Sequence, residues 1–179
     1  MPLFLIRHPR PLLAEGVCYG QLDVASEDPL PHVARLRPCL PSGVPIFSSP
    51  LRRARLLAEA LAEALGSSVS TDNRLQEISF GAWEGRAWQE IARPAIDAWA
   101  ADVLNYTPPG GESVAALRAR SLDFAAALRL PDAVLVTHAG VMRALVGAWQ
   151  QLPLETWTRL SFDYGELVVI EPPGMGAKP

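Results

Sequence analysis

Three dipeptides hold most of the chemistry available to this sequence: Arg7-His8, Arg52-Arg53 and Thr137-His138. Each lies at or shortly after the end of an apolar run, Leu3 to Ile6, Val44 to Phe47 or Ala133 to Val136, of the kind that forms a buried strand. Guanidinium groups stay protonated at any working pH and make charge-assisted, often bidentate bonds to phosphate oxygens. A neutral imidazole nitrogen beside such an anion can attack phosphorus in line, dividing hydrolysis into transfer onto histidine and release to water. The departing alkoxide then needs a proton, which a carboxylic acid can supply. Glu77 is the candidate acid, in a stretch from Leu75 to Gly85 where glycines and an aromatic frame a loop, and Glu84 is its rival.

The elements that must position these residues follow from hydrophobic spacing. Strands are expected at Leu3–Ile6, Val44–Phe47, Ala133–Val136 and Leu167–Ile170, with a weaker one beginning at Val69. Leu51, Ala54, Leu57, Ala58, Leu61 and Leu65 recur at helical spacing, with Ser49 as N-cap, Pro50 as first residue and Gly66 as C-terminal stop. Further helices are expected over about Pro31–Leu40, Trp83–Ala101 with Pro94 limiting or kinking it, Ser113–Leu128 with Ser113 as cap, and Gly140–Trp149. Pro9 to Pro31 reads mostly as loop, and Thr107-Pro108-Pro109-Gly110-Gly111 is the strongest loop signal. Strands alternating with helices predict a three-layer α/β/α sandwich, a central, mostly parallel mixed sheet flanked by helices. Ligands gather outside the C-terminal strand ends of such sheets, which would bring the three dipeptides to one rim.

With 179 residues, 49% of them apolar, the chain suffices for one sizeable core, and a single domain over residues 1–179 is expected, with 172–179 as a flexible tail. No run of eighteen apolar residues could span a bilayer. Met1-Pro2 leads directly into the first strand run without the basic segment and longer apolar stretch of a signal peptide, so a cytoplasmic location is expected. Cys18 and Cys39, without CxxC spacing, are expected to be reduced thiols. A net charge of −3 argues against coating nucleic acid or an anionic membrane, so bound anions must meet a local basic pocket. No HxH, HExxH or CxxC spacing points to a metal, no GxGxxG follows the first strand, and neither metal nor cofactor is expected.

Arg7-His8, Ser49-Pro50-Leu51-Arg52-Arg53-Ala54, the Glu77 to Gly85 segment, Gly110-Gly111-Glu112-Ser113 and Thr137-His138-Ala139-Gly140-Val141-Met142-Arg143, in that order, resemble the signature of the histidine phosphatase, or phosphoglycerate mutase-like, superfamily. The resemblance runs from residue 5 to about residue 150. It implies that His8 is the phosphorylated nucleophile, that Arg7, Arg53 and His138 bind the phosphoryl group, and that Glu77 is the proton donor. The pattern Ser-Pro-Leu-x-Arg-Ala selects Arg53 over Arg52, and neighbours about 100° apart on a helix do not both point inward. Arg52 and Arg55 then read as solvated charges and Arg143 as a structural tie.

The sequence departs from the common pattern after the nucleophile, where Pro9-Arg10-Pro11 replaces Gly-Glu-Thr and no later Asn follows. Tyr19, Gln21 and Arg10 are the candidates to replace those phosphate contacts. Ala139 also stands where glycine is common. The short chain and the Gly16-x-x-x-Gly20-x-x-Asp23 stretch look most like α-ribazole phosphatases, which act late in cobalamin assembly. The expected activity is therefore metal-independent hydrolysis of a small sugar or nucleoside monophosphate such as α-ribazole 5′-phosphate. A phosphoglycerate mutase-type phosphotransferase, a phosphohistidine-protein phosphatase and a non-catalytic phospholigand-binding module are the alternatives. No heptad or charge stripe indicates an oligomeric state.

Overall fold

The computed structural model describes residues 2–128 and 132–171. The expected tail, 172–179, lies outside the described residues. Five strands form one mixed sheet: β1 (Leu3–Arg7), β2 (Ile46–Ser48), β3 (Val69–Thr71), β4 (Ala133–Thr137) and β5 (Leu167–Ile170), in the order β3-β2-β4-β1-β5. All pairings are parallel except that of β1 with β5. Strands β1 and β4 are the continuous apolar runs that a parallel sheet covered on both faces requires.

Alternation along the central strands divides their side chains between two cores. Phe4, Ile6, Ile46, Val134 and Val136 pack on α1 (Leu30–Leu36) and α2 (Arg52–Leu65), while Leu3, Leu5, Ala133 and Leu135 pack on the opposite face with Leu117, Phe124, Val141 and Leu145. Those last four belong to α4 (Val114–Ala127) and α5 (Ala139–Trp149). Helices on both faces of the sheet make the three-layer α/β/α sandwich. A third cluster of Cys18, Trp83 and Ile91, with Phe80, Trp88, Trp99 and Tyr106 against it, forms an aromatic cap that includes α3 (Arg93–Ala101).

Three local expectations are corrected. The helix expected over Trp83–Ala101 is short 3-10 turns at Gly81–Trp83 and Trp88–Glu90 followed by α3, because Gly85 takes a positive φ of 80° and the tryptophans turn inward instead. Trp83 stacks on Tyr106 and Trp88 on Trp99, both at 5.8 Å between centroids. Ser49 is not the N-cap of α2: the cap position is Leu51, and the Ser49 hydroxyl accepts from the Leu51 N–H and contacts His138. Leu51 itself is extended, with φ −62° and ψ 132°, so the helix starts at Arg52 and Pro50 lies outside it. The helix expected over Pro31–Leu40 divides into α1 and a 3-10 turn at Arg37–Cys39. Ser113 caps α4 as expected, accepting from the Ala116 N–H, and Gly66 ends α2 in the left-handed region. The short helix α6 (Leu154–Trp157) had no counterpart in the sequence reading.

Leu135, wholly buried at the sheet centre, is expected to cost about 2–5 kcal/mol of stability on change to alanine. The same change at Leu12, 62% exposed, is expected to stay within about 0.5 kcal/mol, both read as shifts of a urea unfolding curve.

Candidate active site

Register builds the site. Arg7 on β1 lies opposite Thr137 on β4, so the next residues, His8 and His138, leave neighbouring strand ends side by side, with ring centroids 4.9 Å apart. Ser48 on β2 lies opposite Val136, which brings Ser49 to the same rim, where its Oγ is 2.8 Å from His138 Nε2. Backbone bonds continue the pairing beyond the strands, from His8 N–H to the Thr137 carbonyl and from Ser49 N–H to the Val136 carbonyl, each at 3.0 Å.

His8 is buried, and its Nδ1 lies 2.7 Å from the Pro9 carbonyl oxygen. A carbonyl only accepts, so Nδ1 carries the proton and Nε2 keeps its lone pair. Burial, reinforced by the Arg53 and Arg7 charges, lowers the His8 pKa to about 3, so the ring is neutral at ordinary pH. His138 is also pushed well below the usual histidine range, chiefly by burial and then by His8 and Arg53. His138 Nε2 shares a hydrogen bond with the Ser49 hydroxyl, and its buried Nδ1 has no partner among the described residues.

Arg53 is fully buried while Arg52 beside it is exposed, as the helical offset requires. Its Nη1 and Nη2 donate to the Leu22 and Gly20 carbonyls at 2.8 and 2.6 Å, and its buried Nε has no partner among the described residues. Gly20 itself lies where a Cβ would fall 2.5 Å from the Ile78 carbonyl oxygen, so only glycine lets this loop press against the Glu77 segment. Arg7 donates through Nη1 to the Phe162 carbonyl at 2.6 Å, stacks on the Tyr164 ring at 3.8 Å, and has a buried Nε without a partner among the described residues. Arg55 pairs with Glu59 on the exposed face of α2.

Glu77 lines a cavity of about 340 Å³ together with Arg7, Tyr19, Phe80, Trp88, Trp99 and others. His8, Arg53 and His138 are not among the residues lining it. One carboxylate oxygen of Glu77 accepts from the Ile78 N–H at 3.0 Å and the other from the Gly140 N–H at 3.2 Å, in the first turn of α5, where the helix dipole favours negative charge. A Cβ on Gly140 would collide with the Glu77 carboxylate. Glu84 is committed elsewhere: its Oε1 accepts from the Gln21 and Phe80 N–H groups at 2.9 and 2.8 Å, and it does not line the cavity.

Several supports were missed by sequence reasoning. Arg120 donates to the Arg74, Gln76 and Glu77 carbonyls and pairs with Glu112, which in turn accepts from the Ser79 N–H; together they hold the backbone that carries Glu77. The Gly-Gly-Glu-Ser motif contained the signal for Glu112, but nothing in sequence links it to Arg120. Tyr164, against Arg7 and His8, lies in a stretch without a pattern. Gln21 donates to the Glu77 carbonyl, and Arg10 is exposed beside Glu27. Arg143 is tied to the Leu160 carbonyl at 2.6 Å and also lines the cavity. Both cysteines are free thiols, Cys18 buried and Cys39 exposed.

A model of the histidine phosphatase superfamily, branch 1, matches residues 3–178, and the chain belongs to that superfamily. It is 38% identical to the glucosyl-3-phosphoglycerate phosphatase of Mycolicibacterium vanbaalenii over 125 residues, 63% of this chain and 56% of that one. The match thus spans little more than half of that relative's length. The fold is similar to that of a mycobacterial glucosyl-3-phosphoglycerate phosphatase solved with VO3, with a TM-score of 0.82, 31% identity, and coverage of 95% of this chain and 92% of that one. It is also similar to a phosphoglycerate mutase from Thermus thermophilus, with a TM-score of 0.74, 35% identity, and coverage of 97% and 94%.

The buried, neutral state of His8 has a consequence for stability. Between the ordinary value of 6.5 and the native value of about 3 the unfolded chain binds a proton that the folded chain does not, so stability falls as the pH drops through that window. The limiting slope is about 1.4 kcal/mol per pH unit. His8→Asn is expected to flatten the loss of urea resistance between about pH 6.5 and pH 4.5 relative to the native chain; an unchanged slope would contradict the buried neutral ring.

Proposed function

We propose that this protein is a phosphomonoesterase that passes the phosphoryl group through His8 Nε2, with Arg7, Arg53 and His138 binding the phosphoryl oxygens and Glu77 as acid and base. One observation carries the proposal. Among the described residues four buried side-chain nitrogens and oxygens lack a partner, and three of them, Arg7 Nε, Arg53 Nε and His138 Nδ1, belong to the residues whose charge or ring bears on the neutral His8. An unpaired buried polar atom costs about 1–3 kcal/mol, and more when charged, so one is uncommon, and three on residues that act on one imidazole support an anion-binding role.

The chemistry follows from those atoms. The Nε2 lone pair attacks phosphorus as the ester P–O bond breaks, and the Glu77 carboxyl proton goes to the leaving alkoxide. The resulting phosphohistidine keeps its Nδ1 proton on the Pro9 carbonyl. Water then attacks phosphorus, Glu77 takes its proton, and the P–N bond breaks to return the neutral imidazole and release phosphate. The guanidinium groups contribute charge where it is spread over the equatorial oxygens. No step calls on a metal.

The leaving group meets the cavity beside Glu77, whose Phe80, Trp88, Trp99 and Trp157 suit an alcohol with a flat or apolar body. α-Ribazole 5′-phosphate, a ring-bearing sugar phosphate, fits that description and follows from the subfamily resemblance. Glucosyl-3-phosphoglycerate enters the substrate panel from the names of the relatives. A soluble, cytoplasmic enzyme that needs no partner beyond its small substrate completes the proposal.

The test is phosphate release from this panel and from p-nitrophenyl phosphate, in EDTA. The native chain is expected to turn over and His8→Ala to be inactive. Glu77→Gln is expected to lose about 10²- to 10⁴-fold in kcat/KM on alkyl esters but much less in kcat/KM on p-nitrophenyl phosphate, whose leaving group needs no proton in the phosphorylation step that kcat/KM reports. The same selective loss in Glu84→Gln instead would transfer the acid role to Glu84. Activity abolished by EDTA, or retained by His8→Ala, would contradict the mechanism.

A further inference from the structure

The chain lacks a hydroxyl or amide side chain in the three residues after His8, Pro9-Arg10-Pro11, and two of the polar groups nearby are committed elsewhere. Arg10 reaches Glu27 at 3.7 Å on the surface with its Cζ 5.2 Å from the Tyr164 ring, and the Gln21 amide donates to the Glu77 carbonyl. Two tyrosines stand beside the arginines instead. The Tyr164 ring lies 3.8 Å from Arg7 Cζ and 5.7 Å from the His8 ring, and the Tyr19 ring lies 5.2 Å from Arg53 Cζ. Their hydroxyl oxygens are 3.4 Å apart.

Backbone contacts fix each ring to its arginine. The Gly165 N–H donates to the Arg7 carbonyl at 3.0 Å and the Arg7 N–H to the Glu166 carbonyl at 3.1 Å, which anchors the chain immediately after Tyr164 to Arg7. Arg53 donates to the carbonyls of Gly20 and Leu22, in the turn that Tyr19 begins, where the Leu22 N–H returns to the Tyr19 carbonyl. Tyr19 also lines the cavity with Arg7 and Glu77.

We propose that Tyr19 and Tyr164 act as a phenolic clamp in place of the polar residues missing after His8: the Tyr19 hydroxyl donates to a phosphoryl oxygen, and Tyr164 positions both that hydroxyl and the Arg7 guanidinium. The clamp rests on the phosphohistidine reading. Two phenols carry two protons and share at most one hydrogen bond between them, so one proton remains to donate. At 3.4 Å their mutual bond is at the outer limit of useful geometry and is readily exchanged for a charged acceptor. Burial, followed by the Tyr164 contact, pushes the Tyr19 phenol up to about 12, so it keeps its proton at working pH. A neutral donor also has an advantage over a third cation, since further positive charge would depress the basicity of a nucleophile that Arg53 and Arg7 already lower.

The experiment compares Tyr19→Phe, Tyr164→Phe and Tyr164→Leu in kcat/KM for p-nitrophenyl phosphate and in affinity for inorganic vanadate, with thermal midpoints measured in parallel. Tyr19→Phe is expected to lose on the order of 10- to 100-fold in both kcat/KM and vanadate affinity without a matching fall in midpoint. Tyr164→Phe keeps the stack on Arg7 and is expected to lose less than Tyr164→Leu, which removes it. Vanadate affinity of Tyr19→Phe within about twofold of the native chain, or equal effects of Phe and Leu at position 164, would overturn the clamp. Vanadate binding decides this even if no panel ester turns over, whereas turnover retained by His8→Ala would remove the phosphohistidine reading alone.

Discussion

The parallel register of β1 with β4 is the constraint on which the site depends. By setting Arg7 opposite Thr137 it delivers His8 and His138 to adjacent strand ends, and the pairing of β2 with β4 adds Ser49 beside them. Because side chains alternate across a strand, a slip of one residue would send either histidine to the wrong face and mismatch Phe4, Ile6, Val134 and Val136 with their core. The geometry of the candidate site and the core packing are therefore specified by the same pairing. The cores on both faces, built from α1 and α2 on one and α4 and α5 on the other, hold the strand ends rigid where precision matters most.

Electrostatics then separates the roles of groups of similar chemistry. His8 feels the charges of two guanidiniums and is buried deeply enough to remain neutral, with its proton fixed on Nδ1 by the Pro9 carbonyl. Glu77 is held by the Ile78 and Gly140 N–H groups at the cavity wall, whereas Glu84 is occupied with the backbone of two loops. Arg53 makes no ion pair among the described residues and is held by carbonyls, with the Glu77, Asp23 and Glu84 charges acting on it only from a distance. Its burial would be hard to account for in a purely structural residue, since a lone buried charge is costly unless a ligand answers it.

Much of this was legible in sequence because the signals were local. Apolar runs ending in Arg-His and Thr-His marked the strands and their exits, and the spacing in α2 separated Arg53 from Arg52. The misreadings arose where tertiary contacts override local preference. The tryptophan-rich segment after Trp83 had helix-compatible residues, but Gly85 and the inward stacking of Trp88 on Trp99 break it into turns. Ser49 resembled a helix cap because its hydroxyl does serve a backbone N–H, yet its other contact, with His138, is 89 residues away and invisible in sequence. Arg120 and Tyr164 were missed for the same reason: each acts through contacts more than 40 residues distant. Sequence position carries no trace of such pairs without the fold.

The central claim is that a phosphoryl group passes through His8, and the most direct measurement is chemical. Native protein is mixed with p-nitrophenyl phosphate, quenched in alkali within the first turnovers, digested and mapped by mass spectrometry. The expected result is one phosphoryl group on the peptide containing His8, stable to base and lost in acid, as a phosphoramidate should be. Phosphate released by a turning-over enzyme with no modified His8 at any time, or an acid-stable phosphoryl group on another residue, would contradict it.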